Sequence, residues 1–419
     1  MNYFDYKNEE LFGESVPVAQ IAQEVGTPVY IYSYKTLERH YRVFDSAFNR
    51  VPHLTCYSCK ANSNIAILRV MGFLGGGADI VSGGELYRAL RAGIQPQRIV
   101  FSGVGKTEEE IISAVKVGIL MINVESAEEL SVIQRVAKNM RKKIPLSVRV
   151  NPQIDAKTHP YITTGLKKNK FGVLWGEAYR LYHEMKSDPY LDPIGISSHI
   201  GSQILELGPF VEAVRSLKKM VMQLRGDGIP VAYMDIGGGL GITYKDELPP
   251  HPGDYGKAIG QELEGADLTI ILEPGRVLVG NSGILVTKLL YKKTVPGKTF
   301  YIVDAAMNDL VRPAFYDAYH EIVPVSRKTS REIKADIVGP ICESGDFFAK
   351  SRQIADLESG ELLAIKGAGA YGFSMSSNYN SRRRAAEVLV KGKEFFIIRK
   401  REVFKDLIRG ESVPSFLEE

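Results

Sequence analysis

Lys60, His199, a glycine run and a Glu-Pro-Gly-Arg sit at the ends of apolar segments, a set of groups suited to covalent chemistry on a carbonyl. Lys60 closes the run HLTCYSCK and precedes Ala61-Asn62. An amine shielded from water or close to positive charge loses its proton more easily, and the neutral form attacks aldehydes to give an imine. His199 lies in Ser197-Ser198-His199-Ile200-Gly201-Ser202-Gln203, where an imidazole can stack on a flat ring. The glycines of Asp235-Ile236-Gly237-Gly238-Gly239-Leu240-Gly241 can bring backbone N–H groups against an anion such as phosphate. In Glu273-Pro274-Gly275-Arg276 the carboxylate can hold a heterocyclic nitrogen in its protonated form, and the guanidinium can fork onto a carboxylate or phosphate. Each has a plainer reading: a salt-bridged lysine, a structural histidine, a tight turn, and a Glu–Arg pair closing the fold. Shared placement favours the chemical reading.

That placement comes from eight short apolar runs spread over residues 53–275: HLTCYSCK, GADIVS, RIVFSG, LMINVES, LSVRVNP, GISSHIG, YMDIGGG and TIILEPGR. Helical segments such as Ser63–Phe73, Gly84–Ala92 and Glu108–Val117 separate them. Strands alternating with helices predict parallel pairing, and eight βα units close into an α/β barrel of the TIM type, whose working face carries the strand C-termini. The groups above would then share one mouth. From about residue 281 the chain changes to β runs with turns (GILVTKLLYKK, KTFYIVDA, ADIVGPICE, ELLAIKG, EVLVKG, EFFIIRK), which fit antiparallel sheet or a β-barrel better than further βα units. The expected organisation is a barrel over 35–280 and a mainly β domain made of 1–34 and 281–419. The early run Val29–Tyr32 is expected to pair with that second domain. The charged, glycine-bearing segment Asp155–Phe171 is a candidate mobile loop.

The β-rich part adds three clusters: Arg312 and Tyr316 in Met307–Tyr316, the neighbours Cys342 and Glu343 in Gly339–Asp346, and Tyr371 among small residues in Gly367–Gly372. Spacing alone assigns none of them a role. Composition narrows the class: of 419 residues, 44% are hydrophobic and 24% charged, the balance of an ordinary globular protein. A net charge of +4 is too small to imply nucleic-acid binding, so Arg141-Lys142-Lys143 and Arg382-Arg383-Arg384 read as solvated surface. The polar start MNYFDYKNEE resembles no signal peptide, no apolar stretch approaches a membrane span, and cytoplasm is expected. Cys56-x-x-Cys59 falls in an extended run, whereas a redox pair usually heads a helix. Gly103-Val104-Gly105-Lys106-Thr107 lacks the first glycine of a P-loop, since position 100 is Val, and no Rossmann fingerprint is present.

In order along the chain, YSCKAN, DIVSGGEL, SGVGKT, HPYITTGLKKNKFG, SHIGSQ, DIGGGLGI, EPGR, MNDLVRPAFY, GPICESGD and GAYGFSMSSNYN resemble the diaminopimelate decarboxylases, pyridoxal-phosphate enzymes of the alanine-racemase-like barrel class. Single motifs such as GGGLG are widely shared, while MNDLVRP, CESGD and TGLKKNKFG together are much narrower. The resemblance implies that Lys60 carries pyridoxal 5'-phosphate as a Schiff base and that His199 stacks on its ring. Ser202, Gly239, Pro274, Gly275 and Arg276 would hold the phosphate end, Glu273 the ring nitrogen, and Tyr371 would touch the cofactor. Arg276, Arg312, Tyr316, Glu343 and Tyr371 would bind substrate, and Cys342 would be the proton donor. No metal is implied. The implied reaction converts meso-2,6-diaminopimelate to L-lysine and carbon dioxide, the last step of lysine biosynthesis, in a homodimer whose subunits share active sites. Lysine and ornithine lack the distal carboxylate, so two arginines left unpaired should select against them. Decarboxylation of ornithine, arginine or carboxynorspermidine is the nearest rival reading, and a catalytically silent relative is another.

Overall fold

The structure, a computed structural model, describes residues 2–154, 170–327 and 331–417, and the chain forms two compact units, Leu37–Gly280 and Met1–Thr36 with Asn281–Glu419. It opens with a small antiparallel sheet of β1 (Phe4–Lys7), β2 (Glu10–Gly13) and β3 (Val16–Pro17), then a helix over Val18–Val25 and β4 (Val29–Ser33). The Leu37–Gly280 unit follows with eight strands: β5 (His53–Ser58), β6 (Gly77–Ile80), β7 (Ile99–Phe101), β8 (Met121–Val124), β9 (Ile144–Arg149), β10 (Leu191–Ser197), β11 (Tyr233–Asp235) and β12 (Thr269–Leu272). All neighbours pair in parallel, and β12 against β5 closes the barrel. Six of the strands fall within the apolar runs, while β9 and β10 begin two and four residues ahead of theirs.

Continuous apolar runs suit strands that are covered on both faces. Every residue of β6, β7 and β8 is buried. Inside, Leu54, Cys56, Val100, Met121 and Ile271 pack into one apolar layer. Gly195 on β10 makes room for it, because an added Cβ would meet Met121 Sδ at 2.9 Å. The strand-to-helix turns are set by caps. Ser82 and Ser126 each accept a hydrogen bond from the backbone three residues on, at 3.2 Å. Thr107 and Glu110 form a reciprocal capping box. Losing such a cap costs about 1 kcal/mol. The serines that end the second and fourth runs are therefore helix caps rather than reactive groups.

The other unit holds β13 (Gly283–Val295), β14 (Lys298–Val303), β15 (Ile322–Pro324), β16 (Glu332–Val338), β17 (Phe347–Ala355), β18 (Leu362–Ile365), β19 (Ala386–Lys391) and β20 (Glu394–Arg399). They form one nine-stranded sheet in the order β17-β16-β14-β13-β4-β19-β20, with β18 joining β13 to β15. The early strand pairs here as expected: Ile31 of β4 lies opposite Ile284 of β13 and Val388 of β19. The sheet is mixed rather than antiparallel, because β4 runs parallel to β19 and β14 parallel to β16. Its core gathers Val29, Ile31, Ile284, Val286, Val388 and Val390 with Leu11 and Ile21 from the start of the chain.

No helix among the described residues is long and apolar enough to cross a membrane. Arg141-Lys142-Lys143 is exposed, as expected. Arg382-Arg383-Arg384 is not simply solvated: Arg382 donates to the Asp304 carbonyl at 2.8 Å, and Arg384 pairs with Glu402. The segment Asp155–Phe171 lies outside the described residues, apart from its last two positions.

Candidate active site

Each barrel strand delivers one buried polar side chain at or just past its C-terminal end: Ser58, Asp79, Ser102, Asn123, Ser147, Ser197, Asp235 and Glu273. Register makes them neighbours, with Ser58 opposite Asp79, Asn123 opposite Ser147 and Ser197 opposite Asp235. Hydrogen bonds then join them. Ser58 Oγ donates to Asp79 Oδ2 at 2.7 Å, and Lys60 Nζ reaches the same oxygen at 2.8 Å. Ser102 Oγ donates to Glu273 Oε1 at 3.1 Å. Asn123 Nδ2 donates to Ser102 Oγ and to Asp235 Oδ2, each at 3.0 Å. Ser147 Oγ bonds Asn123 Oδ1 and lies 3.1 Å from Ser197 Oγ.

Lys60 sits in a short 3₁₀ turn, Cys59–Ala61, directly after β5. Its side chain keeps 35% of its exposure, whereas its partner Asp79 has none. The amine is held by a buried charge and remains open to a ligand. Three carboxyl groups, Asp79, Asp235 and Glu273, are thus buried around this one end of the barrel. Burial and the charges of Asp235 and Asp79 push the Glu273 carboxyl well above the usual carboxylate range, against the pull of Lys60. A concentration of buried acid suits a cationic ring. Asp79 Oδ1 and Ser198 Oγ are buried without a hydrogen-bond partner among the described residues.

The glycine run presses on His199. Gly238 N–H donates to His199 Nδ1 at 3.2 Å, so that nitrogen carries no proton. Gly237 has φ of 66°, and a Cβ there would lie 2.6 Å from His199 Nδ1. A Cβ on Gly238 would meet the Glu273 carbonyl at 2.1 Å. Burial, then Arg149 and Lys60, hold the imidazole well below its usual pKa. His199 is therefore a neutral ring, as stacking on an aromatic ligand requires. Arg276 opens the short helix Arg276–Val279 and donates to Tyr244 Oη at 2.8 Å and to Ser202 Oγ at 3.1 Å. Ser202, Arg276 and Tyr244 are thus joined by hydrogen bonds. An amine at Lys60, a neutral ring at His199, a buried acid at Glu273 and small residues at Gly237–Gly239 fit an aromatic aldehyde with a basic ring nitrogen.

Arg312, Tyr316, Cys342, Glu343 and Tyr371 belong to the other unit. Asp346 ties two of their segments together, accepting from Met307 N at 2.7 Å and from Ile341 N at 2.8 Å. The third segment joins through Ser377 N to the Asn308 carbonyl at 2.9 Å, and through Asn380 Oδ1, which accepts from Cys342 N at 2.9 Å. Arg312 is buried, and its Nη1 lies 2.9 Å from His320 Nε2. Tyr316 and Tyr371 are half-buried, the latter at a φ of 55°. Cys342 and Glu343 are exposed, and Glu343 Oε2 accepts from Tyr379 Oη at 2.7 Å.

Sequence reasoning missed Asp79, Ser102, Asn123, Asp235 and Asp346 as working parts. The first four carried a signal, a single polar residue set inside or at the end of an apolar run. Two rejected motifs have structural roles. Lys106 has a fully buried side chain paired to Glu129 at 2.7 Å. Cys56 is on β5 while Cys59 heads the 3₁₀ turn, so the pair is not wholly extended, and burial pushes both thiols well above their usual pKa.

Known proteins share this architecture. A family model for pyridoxal-dependent decarboxylases, describing their pyridoxal binding domain, matches residues 34–280. The diaminopimelate decarboxylase of Pseudomonas aeruginosa is 50% identical over 413 residues, which cover 99% of each chain. The crystal structure of diaminopimelate decarboxylase from Helicobacter pylori complexed with L-lysine superposes with a TM-score of 0.91 at 45% identity, covering 93% of this chain and 98% of its own. The enzyme from M. jannaschii gives 0.95 at 38% identity and 99% coverage of both chains. With full-length relatives at half identity and a pyridoxal-binding model spanning the barrel, the chain belongs to the diaminopimelate decarboxylase family of pyridoxal-dependent decarboxylases.

Proposed function

We propose that this chain releases carbon dioxide from meso-2,6-diaminopimelate to give L-lysine, with pyridoxal phosphate held at the barrel mouth. The observation that carries this reading is an accessible amine, Lys60, bonded to a fully buried Asp79 at the polar C-terminal end of a closed barrel. The bound cofactor supplies an aldehyde for the substrate amine and a protonated ring that draws electrons from the carbon losing its carboxylate. The chain's residues do the rest. Lys60 anchors the cofactor, neutral His199 covers the ring face, and Glu273 faces the ring nitrogen. Ser202, Gly239 and the Pro274-Gly275-Arg276 backbone take the phosphate.

For the substrate, Arg276 and Arg312 suit the distal carboxylate and Glu343 the distal ammonium, with Tyr316 and Tyr371 as further binding groups. Cys342 returns the proton to the α-carbon. Because Cys342 and Glu343 are exposed on their own unit, they suit the barrel mouth of a second subunit, in a cytoplasmic homodimer with shared sites. Carbon dioxide release from meso-diaminopimelate, lysine, ornithine and arginine tests this. Diaminopimelate should exceed the others in kcat/KM by at least about 100-fold, the effect of losing two charge-assisted contacts to the distal carboxylate. A preference for ornithine would remove the role given to Arg312.

A further inference from the structure

Asp235 has no role in the chemistry above, yet it shares a buried network with Glu273, the two being linked through Asn123 and Ser102. The two carboxyl groups are buried at the ends of adjacent strands, where Glu273 N donates to the Gly237 carbonyl at 2.8 Å just past Asp235. Two carboxylates crowded together away from water resist joint ionisation, so the pair holds a proton. The surrounding donors decide which member carries it. Asp235 Oδ1 accepts from Gly237 N at 2.9 Å and its Oδ2 from Asn123 Nδ2 at 3.0 Å. Asn123 cannot turn over, because its Oδ1 takes the Ser147 hydroxyl and its two N–H groups serve Ser102 and Asp235. Glu273 receives one hydroxyl, from Ser102. Two N–H donors keep Asp235 ionised, and the proton rests on Glu273. The charged groups facing Glu273 are Asp235, Asp79 and Lys60, and the two acids outweigh the lysine.

We propose that Asp235 is a positioning residue that loads Glu273 with a proton in the cofactor-free protein, and that this proton passes to the ring nitrogen as the cofactor binds. The Glu273 O–H bond breaks and a nitrogen–hydrogen bond forms, leaving a carboxylate beside a pyridinium. The move leaves the net charge of the site unchanged and takes nothing from water. The inference rests on the proposed function, in which Glu273 faces the ring nitrogen.

Two measurements decide it. Infrared spectra of the wild-type apoprotein should show a protonated carboxyl stretch that disappears on loading with pyridoxal phosphate and stays when the ring nitrogen is replaced by carbon. Calorimetry of pyridoxal phosphate binding, run in buffers of different ionisation heat, counts protons. Asp235→Asn should take up about one more proton from buffer than wild type, because its Glu273 begins ionised. The infrared arm needs no variant, so misfolding of Asp235→Asn leaves the question answerable. A carboxyl band that survives full loading, or equal proton counts, overturns the proposal while the proposed function stands. Failure to form a borohydride-fixed adduct on Lys60 overturns both.

Discussion

The barrel mouth and the Cys342–Glu343 corner are built on opposite plans. At the mouth, Asp79, Asn123, Asp235 and Glu273 are buried and held by hydrogen bonds between and across the barrel strands. In the β unit Asp346, which ties two segments together, and Arg312 are buried, but Cys342 and Glu343 are left exposed. A group that must tune a cofactor has to be desolvated and rigid, since an electrostatic effect weakens in water. A group that must meet another surface has to be left outside its own core. The polar groups of the mouth all come from the barrel strands, whereas the corner turns its thiol and acid outward.

The largest effect should come from separating the two. Lys60→Ala and Cys342→Ala should each lose at least about 1,000-fold in kcat. Only the second should keep its cofactor colour, since the thiol takes no part in anchoring. Mixing the two inactive proteins under conditions that exchange subunits should restore activity. No recovery from fully exchanged mixtures would mean that each chain serves itself.

Glu273→Gln sharpens the barrel side, with an expected slowing of about 100-fold as the ring nitrogen loses its ionic partner. The apoprotein gives an independent sign test. A carboxyl raised in the folded state keeps its proton where the unfolded chain, near the ordinary value of about 4.3, has lost it. Wild-type apoprotein should therefore lose stability as pH rises above that value, by at most about 1.4 kcal/mol per pH unit. The variant escapes this loss, so its advantage in Tm should widen from about pH 5 to about pH 8. A flat difference would mean that Glu273 is already ionised.

The smallest effect belongs to the exposed corner. Tyr379→Phe frees Glu343 from one hydrogen bond at the surface. A rise in KM of roughly three- to tenfold with kcat nearly unchanged is expected. A large fall in kcat would show that Tyr379 touches the chemistry itself.

The barrel was legible because its runs carry continuous apolar residues and end in unusual groups. Lys60, His199 and Glu273 stand where the strand termini are. The strand Val29–Ser33 was legible from β-branched and aromatic residues that precede the α/β repeat. By contrast, β17 reads FFAKSRQIA, with exposed Lys350 and Ser351 breaking the pattern, and β1 to β3 are only two to four residues long. The ring of Ser102, Asn123 and Asp235 was written as single polar residues in apolar surroundings, but its meaning depends on register. Only closure of the barrel brings Asn123 to Asp235. The tie from Asp346 to Met307 likewise joins segments that no local spacing relates.

The strand Val29–Ser33 also bears on how the protein is made. Its ladder partners begin at Gly283 and Ala386, so the fully buried VYIYS segment is made before the barrel and finds its neighbours only after it. The barrel sequence is translated in between and can form on its own local contacts first. Until the last sheet strands arrive, those five residues remain a sticky, unmatched ribbon, the place where a chaperone would be expected to hold the nascent chain.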